Sequence, residues 1–147
     1  MAIHRDKVLH SLMVASYMEE ATRKRGFTED FAKEMFMLGW VHDIGYNLIQ
    51  LGDSPIGHAK LGGEFLKDAG YQYWEEVAMH GNPYVKNPKY PWYCLNEADM
   101  HVNSKGEYVS YEERLMDIME RYGVDSEQYS NAKLVVEILI MSGYADN

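Results

Sequence analysis

Hydrophobic side chains recur at steps of three and four residues along most of the chain, the spacing that aligns them on one face of an α-helix. The pattern is clearest in residues 3–25. Gly26 is expected to end that helix, and Thr28 is expected to cap the next, which continues to about Gly45. The apolar stripe of the first helix comprises Val8, Leu9, Leu12, Met13, Tyr17, Met18 and Ala21.

Local start and stop signals predict the remaining elements. Residues 110–113 match a capping box, and residues 52–57 contain Gly52, Pro55 and Gly57 and predict a turn. Residues 84–93 are rich in proline and aromatic side chains and are interpreted as a loop. No segment shows the alternation of a β-strand, so the predicted fold class is all-α. The further helices are predicted at 58–69, 73–80, 95–101, 110–122 and 126–142.

Composition narrows the class of protein. The 147 residues contain no repeat or linker, so residues 1–147 are interpreted as a single domain. Cys94 is the only cysteine, which is typical of a reducing compartment. The first residues, MAIHRDK, include charged side chains and no apolar stretch of a signal peptide, and no apolar run is as long as a membrane span. We therefore expect a cytoplasmic protein without a membrane partner. The net charge of −9 argues against binding to a nucleic acid polymer.

The candidate chemistry lies in histidines and aspartates that interrupt apolar helical segments. Neutral imidazoles and carboxylates are ligands of divalent transition metals, and a metal offsets the cost of burying a carboxylate. His42 and Asp43 are adjacent, and on a helix they would point about 100° apart. At a helix end before Gly45, both could face one ion. The candidate ligands are His10, His42, Asp43, His58, His80 and Asp99.

Each candidate also has an ordinary explanation. Without a metal, His10 would be a histidine with satisfied hydrogen bonds on the core-facing side of a helix. His58 would stand at the solvent-exposed start of a helix. His80 suits a helix C-terminus, where the dipole favours a cation. His42 and Asp43 would be loop residues, and Asp99 would be a carboxylate exposed to solvent. Taken singly these explanations are adequate, but their joint occurrence in this order favours a metal site.

The order H…HD…H…H…D resembles that of the HD-domain metal-dependent phosphohydrolases. The resemblance covers about residues 5–102. The C-terminal helices predicted within 110–142 carry no family ligand, and we expect them to provide packing and to enclose the substrate. The matching stretches are "RDKVLHSLMVA", "LGWVHDIGY", "IGHAKLGGEFL", "VAMHGNP" and "LNEADMHV".

The resemblance implies an HD-domain helical bundle with the metal site between helices. His58 and His80 correspond to the extra pair of the two-metal branch, in which Asp43 would bridge both ions. Many family members have a lysine where this chain has Tyr46, so a cation at that position is in doubt. The residues that correspond to the four-ligand core of one metal are His10, His42, Asp43 and Asp99.

The expected function is hydrolysis of a small phosphorylated substrate, a nucleotide being favoured, by metal-activated hydroxide. Asp43, Arg5 and Lys60 are the candidate catalytic residues, the last two as cations for the phosphoryl group. The cofactor would be one or two divalent transition metal ions, with Fe, Mn, Co or Ni favoured over Zn or Mg. The sequence leaves a homodimer open.

Three alternatives remain open at this stage. The first is an HD-fold di-iron oxygenase of a small organic molecule, which the six ligands also fit. The second is a non-catalytic nucleotide-sensing HD module, although a binding module does not need all six ligands. The third is a helical protein whose histidines are structural and that binds no metal.

Overall fold

The computed structural model describes residues 2–48 and 57–143, and the side chains of these ranges from Arg5 onward. Within them, seven α-helices and one 3-10 turn form and no strand does, which confirms the all-α class. The predicted turn at 52–57 lies, apart from Gly57, outside the described residues. The elements are α1 Ala2–Lys24, α2 Glu29–Val41, the 3-10 turn Ile44–Asn47, α3 His58–Asp68, α4 Trp74–Ala78, α5 Tyr90–Met100, α6 Tyr111–Tyr122 and α7 Glu127–Met141.

Helix ends follow the capping chemistry of the sequence. Gly26 follows α1 with φ +87°, a conformation that glycine adopts without strain. The Thr28 side chain accepts a hydrogen bond from the amide of Phe31 and so caps α2. Ser110 and Glu113 form the reciprocal capping box that opens α6. These three predicted boundaries are confirmed.

The interpretation of residues 84–93 as a loop is wrong for their last four residues. The helix α5 begins at Tyr90, and Pro91 lies in its first turn, where a missing amide hydrogen leaves no helical bond unmade. Trp92 is 2 % exposed, and its indole N–H donates to the carbonyl of Met79 at 3.0 Å. Because this tryptophan is buried, the helix begins at Tyr90 and not at the predicted Leu95.

Helix α5 joins two hydrophobic cores. Its Leu95 and Ala98 belong to a core with side chains of α1 to α4, including Val14 of α1 and Leu38 of α2. On another face, Trp92 and Met100 of α5 belong to a second core with α6 and α7. The second core also contains Ile118, Ala132, Val135, Val136 and Leu139. Because α5 packs against both groups, its last turn lies where all of these elements meet. No helix of the described ranges is long and apolar enough to cross a bilayer.

Candidate metal centre

All six predicted ligands lie at the junction of the first five helices. His10 lies on α1, and Asp99 lies in the last turn of α5. His42 is the residue directly after α2, so the histidine-aspartate pair stands at a helix end as the sequence predicted. His58 is the first residue of α3, and His80 follows α4 by two positions. Five separate elements therefore each contribute to one point in the fold.

Asp43 stands at the middle of the group, and each of its oxygens faces a different pair of histidines. The Oδ1 atom lies 3.1 Å from Nε2 of His58 and 3.2 Å from Nε2 of His80. The Oδ2 atom lies 3.2 Å from Nε2 of His42 and 3.5 Å from Nε2 of His10. The carboxylate thus joins two sets of donor atoms, which is the arrangement of a bridging ligand.

Asp99 completes the set that contains His10 and His42. Its Oδ1 atom lies 2.9 Å from Nε2 of His10 and 3.5 Å from Nε2 of His42. Ligand atoms about 2.1 Å from a shared ion lie about 3.0 Å apart in octahedral and about 3.4 Å apart in tetrahedral geometry. The observed spacings match this range, so the buried clusters could hold a metal ion.

The histidine rings are oriented by backbone carbonyl groups. In three of them Nδ1–H donates to a carbonyl oxygen, which leaves the Nε2 lone pair directed at the carboxylates. This is the usual support of a metal-bound imidazole, because it fixes both the tautomer and the ring plane. The pairs are His10 with Asn103 at 2.9 Å, His42 with Gly39 at 2.6 Å, and His80 with Val77 at 2.6 Å.

The Nε2 atom of His42 provides a direct test of whether the site fits a cation. His42 is completely buried, and among the described residues this nitrogen has no hydrogen-bond partner. With its Nδ1–H given to Gly39, the neutral ring presents only a lone pair toward the oxygens of Asp43 and Asp99. A buried polar atom without a hydrogen-bond partner lowers the free energy of unfolding by about 1–3 kcal/mol. A metal ion or a proton at Nε2 removes that cost.

The electrostatics of the site favour the same conclusion. Burial favours the neutral imidazole, but the charges of Asp43 and Asp99 outweigh burial and hold the pKa of His42 well above its ordinary value. Burial also opposes ionisation of the two carboxyl groups. Their histidine partners outweigh it, so the pKa of Asp43 and that of Asp99 lie well below the usual range. The pocket is built to hold positive charge between two carboxylates.

This raised pKa predicts that metal affinity increases with pH. Without metal, the raised pKa of His42 favours a proton on this ring, and an incoming ion must displace that proton. The proton is lost as the pH rises through the raised pKa, so the dissociation constant for Mn²⁺ should fall by about tenfold per pH unit below it. Calorimetric titrations at pH 6 and pH 8 measure this change. Equal affinity at both values, with no proton release, would contradict the prediction.

The structure separates the two predicted cations. Lys60 lies in the wall of a cavity of about 380 Å³ next to the metal centre. Arg5 is exposed on α1 and does not line this cavity. The geometry does not test a catalytic role for Lys60 or for Arg5. Both roles therefore stay predictions. His101, which lies two residues after Asp99, stacks on Tyr111, and its Nδ1–H donates to the carbonyl oxygen of Val109, away from the ligand set.

Sequence reasoning missed Arg114, which supports Asp99. Its Nε–H donates to the backbone carbonyl of Asp99 at 3.1 Å, and a second nitrogen lies 3.7 Å from Oδ1 of the same residue. A third contact, from Nη1 to Asp117 at 2.8 Å, holds the guanidinium in place. Arg114 and Asp117 are three residues apart on α6, a spacing that could have indicated the pair but not its target.

Tyr46 was identified only as a departure from the family pattern, and its position is informative. Its ring stacks on His58 at 4.1 Å between centroids and 14° between planes. The ammonium group of Lys7 lies 3.4 Å from the Tyr46 centroid, against the face that His58 leaves free. Burial, the Asp43 charge and a hydrogen bond with Tyr122 all raise the pKa of Tyr46, which therefore stays neutral. A cation thus stands beside the site, but it comes from α1.

The C-terminal helices form one wall of the 380 Å³ cavity. This is the position expected of elements that enclose a substrate. Asp43 also lines a smaller cavity of about 180 Å³, whose wall includes His10. The larger cavity is lined in part by Arg114, Ile118, Arg121, Tyr122, Gln128, Asn131 and Val135.

In comparisons with protein-family models, curated proteins and solved structures, nothing matches this chain. The resemblance to the HD-domain phosphohydrolases therefore stays an inference from ligand order. The geometry is an independent observation: residues separated by up to 89 positions converge, and one carboxylate faces two histidine pairs. These contacts show that the buried clusters could hold a metal ion.

Proposed function

We propose that the protein is a metal-dependent hydrolase of a small phosphorylated molecule, with a nucleotide as the favoured substrate. One observation carries the proposal: two sets of ligand atoms share Asp43 beside a cavity that contains cationic side chains. Paired metals held in this way suit displacement at phosphorus. The order of the ligands, which resembles the two-metal HD-domain branch, supports the same reaction.

The chain offers protein ligands for two ions, together with the contacts that orient those ligands. His10, His42, Asp43 and Asp99 would hold one ion, and Asp43, His58 and His80 would hold a second. Divalent ions bound there supply Lewis acidity and lower the pKa of a water molecule to near neutrality. The backbone carbonyls aim the imidazoles and Arg114 fixes Asp99.

The cavity beside the centre supports a substrate of nucleotide size. Its volume of about 380 Å³ is near the lower end of small-molecule sites, which run from about 300 to 1,000 Å³. Its wall combines amide groups of Gln128 and Asn131 with the apolar side chains of Ile118 and Val135. Amides can pair with the edge of a base, and apolar groups can cover its face. The cationic side chains Lys60 and Arg121 in the same wall suit an anionic group.

The test is elemental analysis of the purified protein followed by a phosphatase and nucleotide panel with its resident metal. We expect about two transition metal ions per chain and oxygen-independent release of phosphate from at least one nucleotide. Metal with oxygen-dependent oxidation would indicate the oxygenase instead. Metal without turnover on any substrate would indicate a sensing module, and absence of metal would mean that the histidines are structural.

A pair of histidine variants isolates the metal centre from general stability. His42→Ala should abolish metal binding and lower kcat/KM by at least about a thousandfold, because the buried Nε2 donor is lost. His101→Ala is the matched control, since this histidine is partly buried and stacked but lies outside the ligand set. The control should retain its metal and activity. Full activity in His42→Ala would refute the assignment of this ligand.

A further inference from the structure

The smaller cavity differs in charge from the rest of the molecule. The chain carries a net charge of −9, with 14 Lys and Arg among 147 residues. Four of the nine residues that line the 180 Å³ cavity are cationic, against two carboxylates, Asp6 and Asp43. A local excess of positive charge in an acidic protein requires a physical reason, because like charges in one cavity repel. The cations are Lys7, Lys105, Arg114 and Arg121.

Three of these cations are available to a ligand. Arg114 is committed to Asp99 and Asp117. Among the described residues, no carboxylate lies within salt-bridge distance of Lys7, Lys105 or Arg121, whereas such contacts do occur elsewhere in the chain. Lys7 is also positioned in advance, because its ammonium group rests against the ring of Tyr46. A side chain held in this way loses little freedom when it binds an anion.

Lys7 and Arg121 act on each other although they come from opposite ends of the chain. Burial lowers the pKa of Lys7, the Asp43 charge raises it, and the nearby Arg121 lowers it again. Asp43 offsets part of this repulsion. Arg121 lines both the larger and the smaller cavity and is exposed, so its guanidinium can reach a ligand at the centre from either side.

Counter-charge for the carboxylates does not explain these cations once metal is bound. Two divalent ions would bring four positive charges to Asp43 and Asp99, which together carry two negative charges. Lys7, Lys105 and Arg121 would then face a centre that is already positive. An anion with more than one charge offsets this excess of positive charge. A tetrahedral phosphate group has the charge and the acceptor oxygens for this role.

We propose that the smaller cavity is an oxyanion site of phosphate type, in which Lys7 and Arg121 bind the anion beside the metal centre and Lys105 adds charge at its exposed side. This inference rests on the proposed function for its metal ions. It assigns the phosphate to the α1 and α6 side, and the larger cavity to the remainder of the substrate. The anion is either the phosphoryl group of the substrate or the inorganic phosphate that hydrolysis releases.

The probe is inorganic phosphate, titrated calorimetrically into protein that retains its resident metal. Lys7→Met keeps an apolar side chain against Tyr46 but removes the positive charge. Arg121→Met likewise replaces a cation of the cavity wall with an uncharged side chain. Each should weaken phosphate binding by about tenfold, and the affinity should fall as ionic strength rises. The control is Lys133→Met, a lysine that stacks on Tyr129 but lines neither cavity. The control should bind phosphate as the wild type does.

Elemental analysis of every variant establishes that the metal centre is intact, and the exposed Arg121 provides the test if Lys7→Met folds poorly. Wild-type affinity for phosphate in both metal-loaded variants would overturn the inference. Phosphate that competes with the substrate would identify the anion as the substrate's phosphoryl group, and non-competitive inhibition would identify a product site. Phosphate binding that depends on Lys7 and Arg121 without any ester hydrolysis would refute the proposed function alone. Hydrolysis with unaltered phosphate binding in the variants would refute this inference alone.

Discussion

Asp43→Asn is expected to release both metal ions and to lower kcat/KM by at least about a thousandfold. Asp43 is the residue whose two oxygens face both histidine pairs, at 3.1–3.2 Å on one side and 3.2–3.5 Å on the other. Asparagine has nearly the same shape but carries no charge, and its NH₂ group would face lone pairs on one side. The pair His58 and His80 would then lack a carboxylate in its set altogether. Ions per chain and kcat/KM are the measurements.

His58→Ala is the informative control, because it damages one set only. His10, His42, Asp43 and Asp99 would remain, so one ion per chain should be retained and one should be lost. Retention of two ions in His58→Ala would refute the dinuclear arrangement. Retention of two ions in Asp43→Asn would refute the bridging role of this carboxylate. The pair of results therefore separates a bridged centre from two independent sites.

Local chemistry made several helix ends predictable. The caps at Thr28 and Ser110 depend on a side-chain oxygen and an amide two or three residues away, so the sequence contains all the necessary information. Tyr90 falls in the segment predicted as a loop from its proline and aromatic content, although proline is favoured in the first turn of a helix. The start of α5 depends on burial of Trp92 under Met79, and that contact is tertiary.

The candidate ligands could be identified from their order in the sequence. Their arrangement in space could not be predicted. Which Asp43 oxygen faces which histidine depends on how α1, α2, α3 and α4 pack, and periodicity carries no such information. The spacing on α1 distinguishes Lys7 from the predicted Arg5. Lys7 precedes His10 by three residues and shares its helix face, whereas Arg5 precedes it by five and points about 140° away.

The cations of α6 illustrate what sequence reasoning lacked. Arg114 and Arg121 are seven residues apart, two helical turns, and therefore lie on one face. That spacing indicates a shared target but does not identify it. The second core brings this face to the metal centre through contacts of Ile118 and Val135 with α5. No ligand motif marks the C-terminal helices, so only their packing gives them a place at the site.

Gly45 follows the histidine-aspartate pair at the predicted helix end. Its φ angle is not positive, so a turn does not require glycine here. The reason is close packing: a β-carbon at Gly45 would overlap the backbone carbonyl group of His58. Gly62 faces the same turn, and a β-carbon there would lie 3.0 Å from the amide nitrogen of Gly45. The two small residues let α3 approach the turn that carries Asp43, which brings Oδ1 within 3.1 Å of His58.

Gly45→Ala should therefore push α3 away from the metal centre and release the ion of the His58 and His80 set. Overpacking at backbone atoms costs about 3 kcal/mol, which for a chain of this size lowers the melting temperature by roughly 10 °C. Gly57→Ala is the matched control, because Gly57 has φ −82° and a β-carbon there meets no atom of the described residues within 4 Å. The control should keep both ions and its melting temperature. Two ions per chain in Gly45→Ala would show that the close contact with His58 does not position the His58 and His80 set. The position of α3 would then have to be fixed by its packing on α4.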